Sequence, residues 1–117
     1  MQDVANGPLT LTDAALLRNQ AYVNGTWVDA STRFDVTNPA NGQTITSVPN
    51  QGANEATLAI TAAHTAFPGW ASKTGKERSQ LMRKWFDLIV AHADDLAKLM
   101  TAEQGKPVAE AKGEVMY

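Results

Sequence analysis

At Asn54 the apolar residues change their spacing, and that change divides the chain into a strand-forming part and a helix-forming part. Downstream, Ala56, Ala59, Ile60, Ala63 and Phe67 recur every three or four residues, the spacing of one helix face. Pro68-Gly69 is expected to stop that helix. Thr74 and Glu77 are spaced as a capping box, in which side chain and backbone satisfy each other's free groups, and so open a second helix. Its Leu81, Met82, Trp85, Leu88, Ile89 and His92 form a wide apolar face, placed to cover the stripe of the first. A third helix over Asp94 to Gln104 should bury Leu96, Leu99 and Met100, with Asp94 and Asp95 at its positive dipole end. Gly105 suits the left-handed residue that ends a helix, and Pro107 suits the first turn of the next. There Val108, Ala111 and Val115 share a face. The spacing predicts helices near 54–67, 75–92, 94–104 and 107–117.

Upstream, residues 1–11 read as a mobile arm and Asp13–Asn19 as a short helix. In "AYVNGTWV" the pair Asn24-Gly25 tolerates the positive φ of a two-residue type I′ turn. Such a turn sets Tyr22 opposite Trp27 on one face of a hairpin near 21–29. A second hairpin is expected near 34–48, where Pro39 presets the turn and Gly42 takes the left-handed position of a bulged loop. No internal repeat or low-complexity linker interrupts this order.

With 44% hydrophobic and 19% charged residues, the composition is that of a globular chain of 117 residues with a modest core. A net charge of -2 offers no basic field for nucleic acid. Arg78, Arg83 and Lys84 read as a solvated helix face. The absence of cysteine excludes disulfides, thiolate metal sites and a cysteine nucleophile within these residues. No apolar run approaches the roughly 18 residues that cross a bilayer. The opening "MQDVANGPLTLTDAALL" lacks the basic start and apolar block of a secretory signal, so Asn24-Gly25-Thr26 carries no weight as a sequon. The expected compartment is the cytoplasm.

Chemistry is sparse. His92 lies on an apolar face, where a packed or partly exposed ring is expected rather than a base, and His64 between stripe positions, at the helix surface; neither has a metal-binding partner at ligand spacing. Glu110 and Glu114 are like charges one helical turn apart, which points to a partner outside the chain. No Gly-rich dinucleotide loop occurs, and "GKP" lacks the upstream glycine and following Ser/Thr of a P-loop. Trp27, Trp70 and Trp85 fall on different elements without clustered basic residues, so core or interface packing is expected rather than stacking on nucleic acid. On the residues alone this is an α+β piece with no visible active site.

The ordered segments "YVNGTWVDA", "VTNPANGQTITSVPNQGANEATLAITAAHTAFPGW" and "KERSQLMRKWFDLIVAHADDLAKLMTAEQGKP" resemble the start of an aldehyde dehydrogenase, over Leu17 to Tyr117. "EQGKPVAEAKGEVMY" most resembles the succinate-semialdehyde dehydrogenase branch. The resemblance implies an α+β fragment of an α/β fold. Residues 1–20 would be an arm and short helix, 21–49 hairpin strands, and 50–117 the helical first part of an NAD(P)-binding domain. For the intact protein it implies attack of a thiolate on an aldehyde, hydride transfer to NAD or NADP, hydrolysis of the thioester, and a homo-oligomer. The family's cysteine, general base and cofactor-binding residues lie downstream of the matching segments. No catalytic, cofactor-binding or metal residue is therefore carried onto these positions. Some members hold a monovalent cation on backbone oxygens near the segments matching Thr37 and Glu114. A helix that begins at Pro107 and meets no stop signal by Tyr117 agrees with a longer protein, whose remainder, or a second copy, would cover the apolar faces. The alternative is a stand-alone helical interaction module without catalysis.

Overall fold

A computed structural model describes residues 7–117. One 3-10 turn, Ala14–Leu16, is followed by strands β1 (Ala21–Val23), β2 (Thr26–Val28), β3 (Arg33–Thr37) and β4 (Thr44–Pro49). Helices α1 (Ala53–Ala71), α2 (Gly75–Ala91), α3 (Ala93–Gln104) and α4 (Val108–Met116) complete the chain. The strands form two separate antiparallel hairpins, β1–β2 and β3–β4. In the first, Asn24 (φ 50°) and Gly25 (φ 76°) both adopt the positive φ of the two-residue turn. Tyr22 therefore pairs with Trp27. Their ring centroids lie 4.9 Å apart, and the Arg18 guanidinium sits 4.7 Å from the Trp27 ring. In the second, Gly42 takes the left-handed position (φ 71°), and a register shift falls between Val36 and Thr37.

Arg33 ties the two hairpins together. Its guanidinium donates to the Ser47 carbonyl at 2.7 Å and the Asn19 carbonyl at 2.5 Å, and it pairs with Asp29 just beyond β2. Nothing in the local pattern marked this residue, because its partners come from three different segments.

Helix ends follow local chemistry more closely than helix faces follow local patterning. Thr74 and Glu77 form the expected capping box: the Glu77 N–H donates to Thr74 Oγ1 at 3.2 Å, and the Thr74 N–H to Glu77 Oε2 at 2.7 Å. Gly105 ends α3 at φ 82°, as expected. Pro68, however, does not stop α1. The helix runs one turn further to Ala71, and the Ser72 N–H donates to the Pro68 carbonyl at 3.0 Å. A proline removes its donor to the His64 carbonyl and crowds that carbonyl with its ring, yet the helix persists where the bonds that follow hold. The expected helix over Asp13–Asn19 shrinks to the 3-10 turn, capped by the Asp13 carboxylate on the Ala15 N–H at 3.0 Å. Of the residues read as a mobile arm, 1–6 lie outside the described residues, and 7–11 lie against α3.

Among the described residues the buried apolar side chains are all alanines: Ala93, Ala97, Ala102 and Ala111. Small side chains let α3 and α4 approach closely, and their interface is the main helix contact. Leu96, Leu99 and Met100, expected in the core, are only half-buried around it. The stripes of α1 and α2 do not cover one another. Ile60 is 70% exposed, Phe67 63%, Trp85 61% and Leu88 60%. The result is an open plate of 48 × 36 × 19 Å with a radius of gyration of 17.0 Å. A compact domain of about 100 residues measures about 13 Å.

Candidate functional site

A concavity lies where the β3–β4 turn, residues 8–17 and the end of α3 meet. Asn38, at 5% exposure, organises the turn: its N–H donates to Gln43 O at 2.9 Å and its carbonyl accepts from Gly42 at 2.7 Å. Its side-chain Oδ1 accepts from the Ala40 N–H at 2.9 Å, which fixes an Asx-type turn ahead of Pro39. A Cβ placed on Gly105 would stand 3.1 Å from Pro39 Cγ, so this turn rests directly on the α3–α4 junction. Beside it opens a cleft of 330 Å³, with Leu9, Leu11 and Leu17 on one wall, Asn41 and Ile45 on the other, and Ala102 between them. None of the described residues that line it is ionisable, and the lining offers apolar and amide groups.

A second hollow of 230 Å³ sits at the start of α3, between Thr12, Asp13, His92, Asp94 and Asp95. His92 is half-buried at the α2–α3 junction, and His64 is exposed on α1. Asp94 pairs with Lys112 at 2.5 Å. Asp95, at 4% exposure, accepts from the Thr12 N–H at 3.0 Å and the Asp13 N–H at 2.8 Å. Those two N–H groups hold its carboxyl below the ordinary value for aspartate. Asp95 thus does more than face the helix dipole: it fastens a segment more than 80 residues away, a partnership no local pattern encodes.

Among the described residues no group of three or more His, Asp or Glu is arranged to hold a metal ion. Thr37 is exposed at the end of β3, opposite Thr44. The Glu114 carboxylate pairs with Lys106, which offsets part of its repulsion with Glu110. The backbone carbonyl of Glu114 accepts from Tyr117 at 3.2 Å. Arg78 is half-buried and donates to the Ala71 carbonyl at 3.4 Å, closing the α1–α2 corner, whereas Arg83 and Lys84 are exposed as expected. Trp27, Trp70 and Trp85 are all exposed, and none belongs to a core. No helix among the described residues is long and apolar enough to cross a membrane.

The sequence profile described as "Aldehyde dehydrogenase family" matches residues 27–117, most of the chain. The chain belongs to the aldehyde dehydrogenase family. Its sequence is 54% identical over 111 residues to the NADP(+) succinate-semialdehyde dehydrogenase GabD of Escherichia coli, covering 93% of this chain and 23% of that protein. A glutarate-semialdehyde dehydrogenase of Pseudomonas aeruginosa is 55% identical over 111 residues, again 93% of this chain and 23% of the relative. A 3-sulfolactaldehyde dehydrogenase of Pseudomonas putida is 50% identical over 109 residues, with 92% and 22% covered. The crystal structure of an aldehyde dehydrogenase from Brucella melitensis biovar abortus superposes with a TM-score of 0.90 at 54% identity, over 93% of this chain and 23% of that one. Two hairpins followed by four helices are the N-terminal part of the aldehyde dehydrogenase fold. The chain spans about a quarter of the length of the relatives it matches.

Proposed function

We propose that this chain is the N-terminal portion of an NAD(P)-dependent aldehyde dehydrogenase that oxidises succinate semialdehyde to succinate. The observation that carries the reading is identity above 50% over nearly the whole chain to semialdehyde dehydrogenases, together with the matching fold. Three similar relatives are named for succinate semialdehyde, glutarate semialdehyde and 3-sulfolactaldehyde. All three are short aldehydes with an anionic group at the far end, and that is the substrate class proposed here.

In this reading residues 50–117 form the first, helical part of the NAD(P)-binding domain and contribute no catalytic or cofactor-binding side chain. NAD(P)+, when bound to the whole enzyme, accepts the hydride from the aldehyde-derived carbon. The residues of this chain do not fit a dinucleotide site: Lys106, the lysine of "GKP", is engaged by Glu114, and Gly105 is packed on Pro39. Their part is structural. Exposed Leu81, Trp85 and Leu88 on α2 and Ile60 and Phe67 on α1 are the surfaces on which the rest of the enzyme would be built.

The test is aldehyde-dependent formation of NADH or NADPH by the gene product that contains this chain, with the three aldehydes as competing substrates. The expected result is turnover, fastest with succinate semialdehyde, and no turnover by residues 1–117 alone, which lack any thiolate. Turnover by the isolated chain, or none by the gene product with any of the three, would overturn the reading.

A further inference from the structure

We propose that residues 7–17 are a strap that docks on α3 and leaves it as a single unit, latched by the carboxylate of Asp95. Both Asp95 oxygens are used, one by each of two consecutive N–H groups, Thr12 at 3.0 Å and Asp13 at 2.8 Å. One turn along α3, Lys98 Nζ stands 3.9 Å from Asp95 Oδ1 and donates to the Thr10 carbonyl at 3.3 Å. Half-buried Leu9, Leu11 and Leu17 supply the apolar part of the attachment across the cleft from Ile45.

Among the described residues the strap's own backbone hydrogen bonds are those of its 3-10 turn, Leu16 to Asp13 and Leu17 to Ala14. No sheet or helix ladder joins it to the rest. It can therefore leave without breaking any secondary structure, which is the mark of a low-stability cooperative unit. Its departure would remove one wall of the 330 Å³ cleft and uncover Ala102 and Ile45, so the cleft exists only while the latch is closed.

A carboxylate latch needs its charge, because a protonated carboxyl turns one of its two acceptors into a donor facing an N–H. The charged and titratable groups around it are Lys98 on α3, Asp94 engaged by Lys112 of α4, Asp13 engaged by the Ala15 N–H, and His92 at the α2–α3 junction. The strap's N–H groups hold Asp95 below its ordinary value, so docking is supported above the carboxylate range and weakens as pH falls through it.

Amide hydrogen exchange of the gene product that contains this chain, resolved to single residues, tests this, with the amides of Ala97, Thr101 and Ala111 reporting on the helical core. One variant, Asp95→Asn, removes the charge; a second, Leu9→Ser with Leu11→Ser, weakens the strap without touching α3. In each, exchange at Thr12 and Asp13 should accelerate together by about tenfold or more while the core amides keep their protection. The inference is overturned if Thr12 and Asp13 are unprotected in the parent protein, or if only one of them or neither responds. It is equally overturned if the core amides lose protection in parallel in the strap variant.

Discussion

Gly105 and Gly113 lie eight residues apart and should respond to alanine in opposite directions. Gly105 combines φ 82° with a Cβ position only 3.1 Å from Pro39 Cγ, so a side chain meets both backbone strain and a neighbour. Gly105→Ala should destabilise by about 1–2 kcal/mol from the left-handed backbone alone. Gly113 lies inside α4, and nothing stands within 4 Å of its Cβ position. Gly113→Ala should therefore stabilise by about 0.5–1 kcal/mol through helix propensity. Urea denaturation of the gene product that contains this chain, with each substitution and without, would show the opposite signs, and equal shifts would contradict the argument. The sequence showed that Gly105 ends a helix. Its contact with Pro39 joins positions 66 residues apart and had no local signature. The same holds for Asp95 and Arg33, whose side chains engage segments brought together only by folding.

At the scale of elements, ends were more legible than faces. The Thr74–Glu77 box follows from spacing alone, because its partners are three residues apart in any helix. Hydrogen bonds from the Thr74 N–H, then from its hydroxyl, hold the Glu77 carboxyl below its ordinary value of 4.5. Because the folded value is depressed, this support of α2 is complete above the unfolded value and is lost as pH falls through the folded one. A carboxyl-detected NMR titration should place the Glu77 midpoint below 4.5, and Thr74→Ala should return it toward 4.5. A parent midpoint at or above the ordinary value would contradict the box. Pro68 was misleading for a related reason. Its missing donor is a local fact, but whether a helix continues for another turn depends on the bonds that follow, here Ser72 to Pro68.

For the whole molecule the decisive quantity is uncovered apolar surface. Leu58, Ile60 and Phe67 on α1 and Leu81, Trp85 and Leu88 on α2 are each at least 45% exposed, while among the described residues only four alanines are buried apolar residues. Burial stabilises by about 25 cal/mol per Å², so leaving several hundred Å² uncovered forgoes on the order of 10 kcal/mol, the scale of a domain's net stability. Sedimentation equilibrium should find the isolated chain self-associated at micromolar concentration. Trp85→Glu with Leu88→Lys should shift it toward monomer. A parent chain that is a sharply melting monomer would contradict this expectation.

The Asn24-Gly25 turn, the pairing of Tyr22 with Trp27, the capping box, the Gly105 terminus and the order of hairpins and helices were all determined by the sequence itself. Each is governed by backbone preferences or by partners a few residues apart, within reach of any chain that reads this way. Which apolar faces are covered was decided by the tertiary structure alone. Periodicity reveals that a helix has a face to bury and is silent on what will bury it. Alanines thus became the core because they let α3 and α4 meet closely, and the larger stripes of α1 and α2 remained outside.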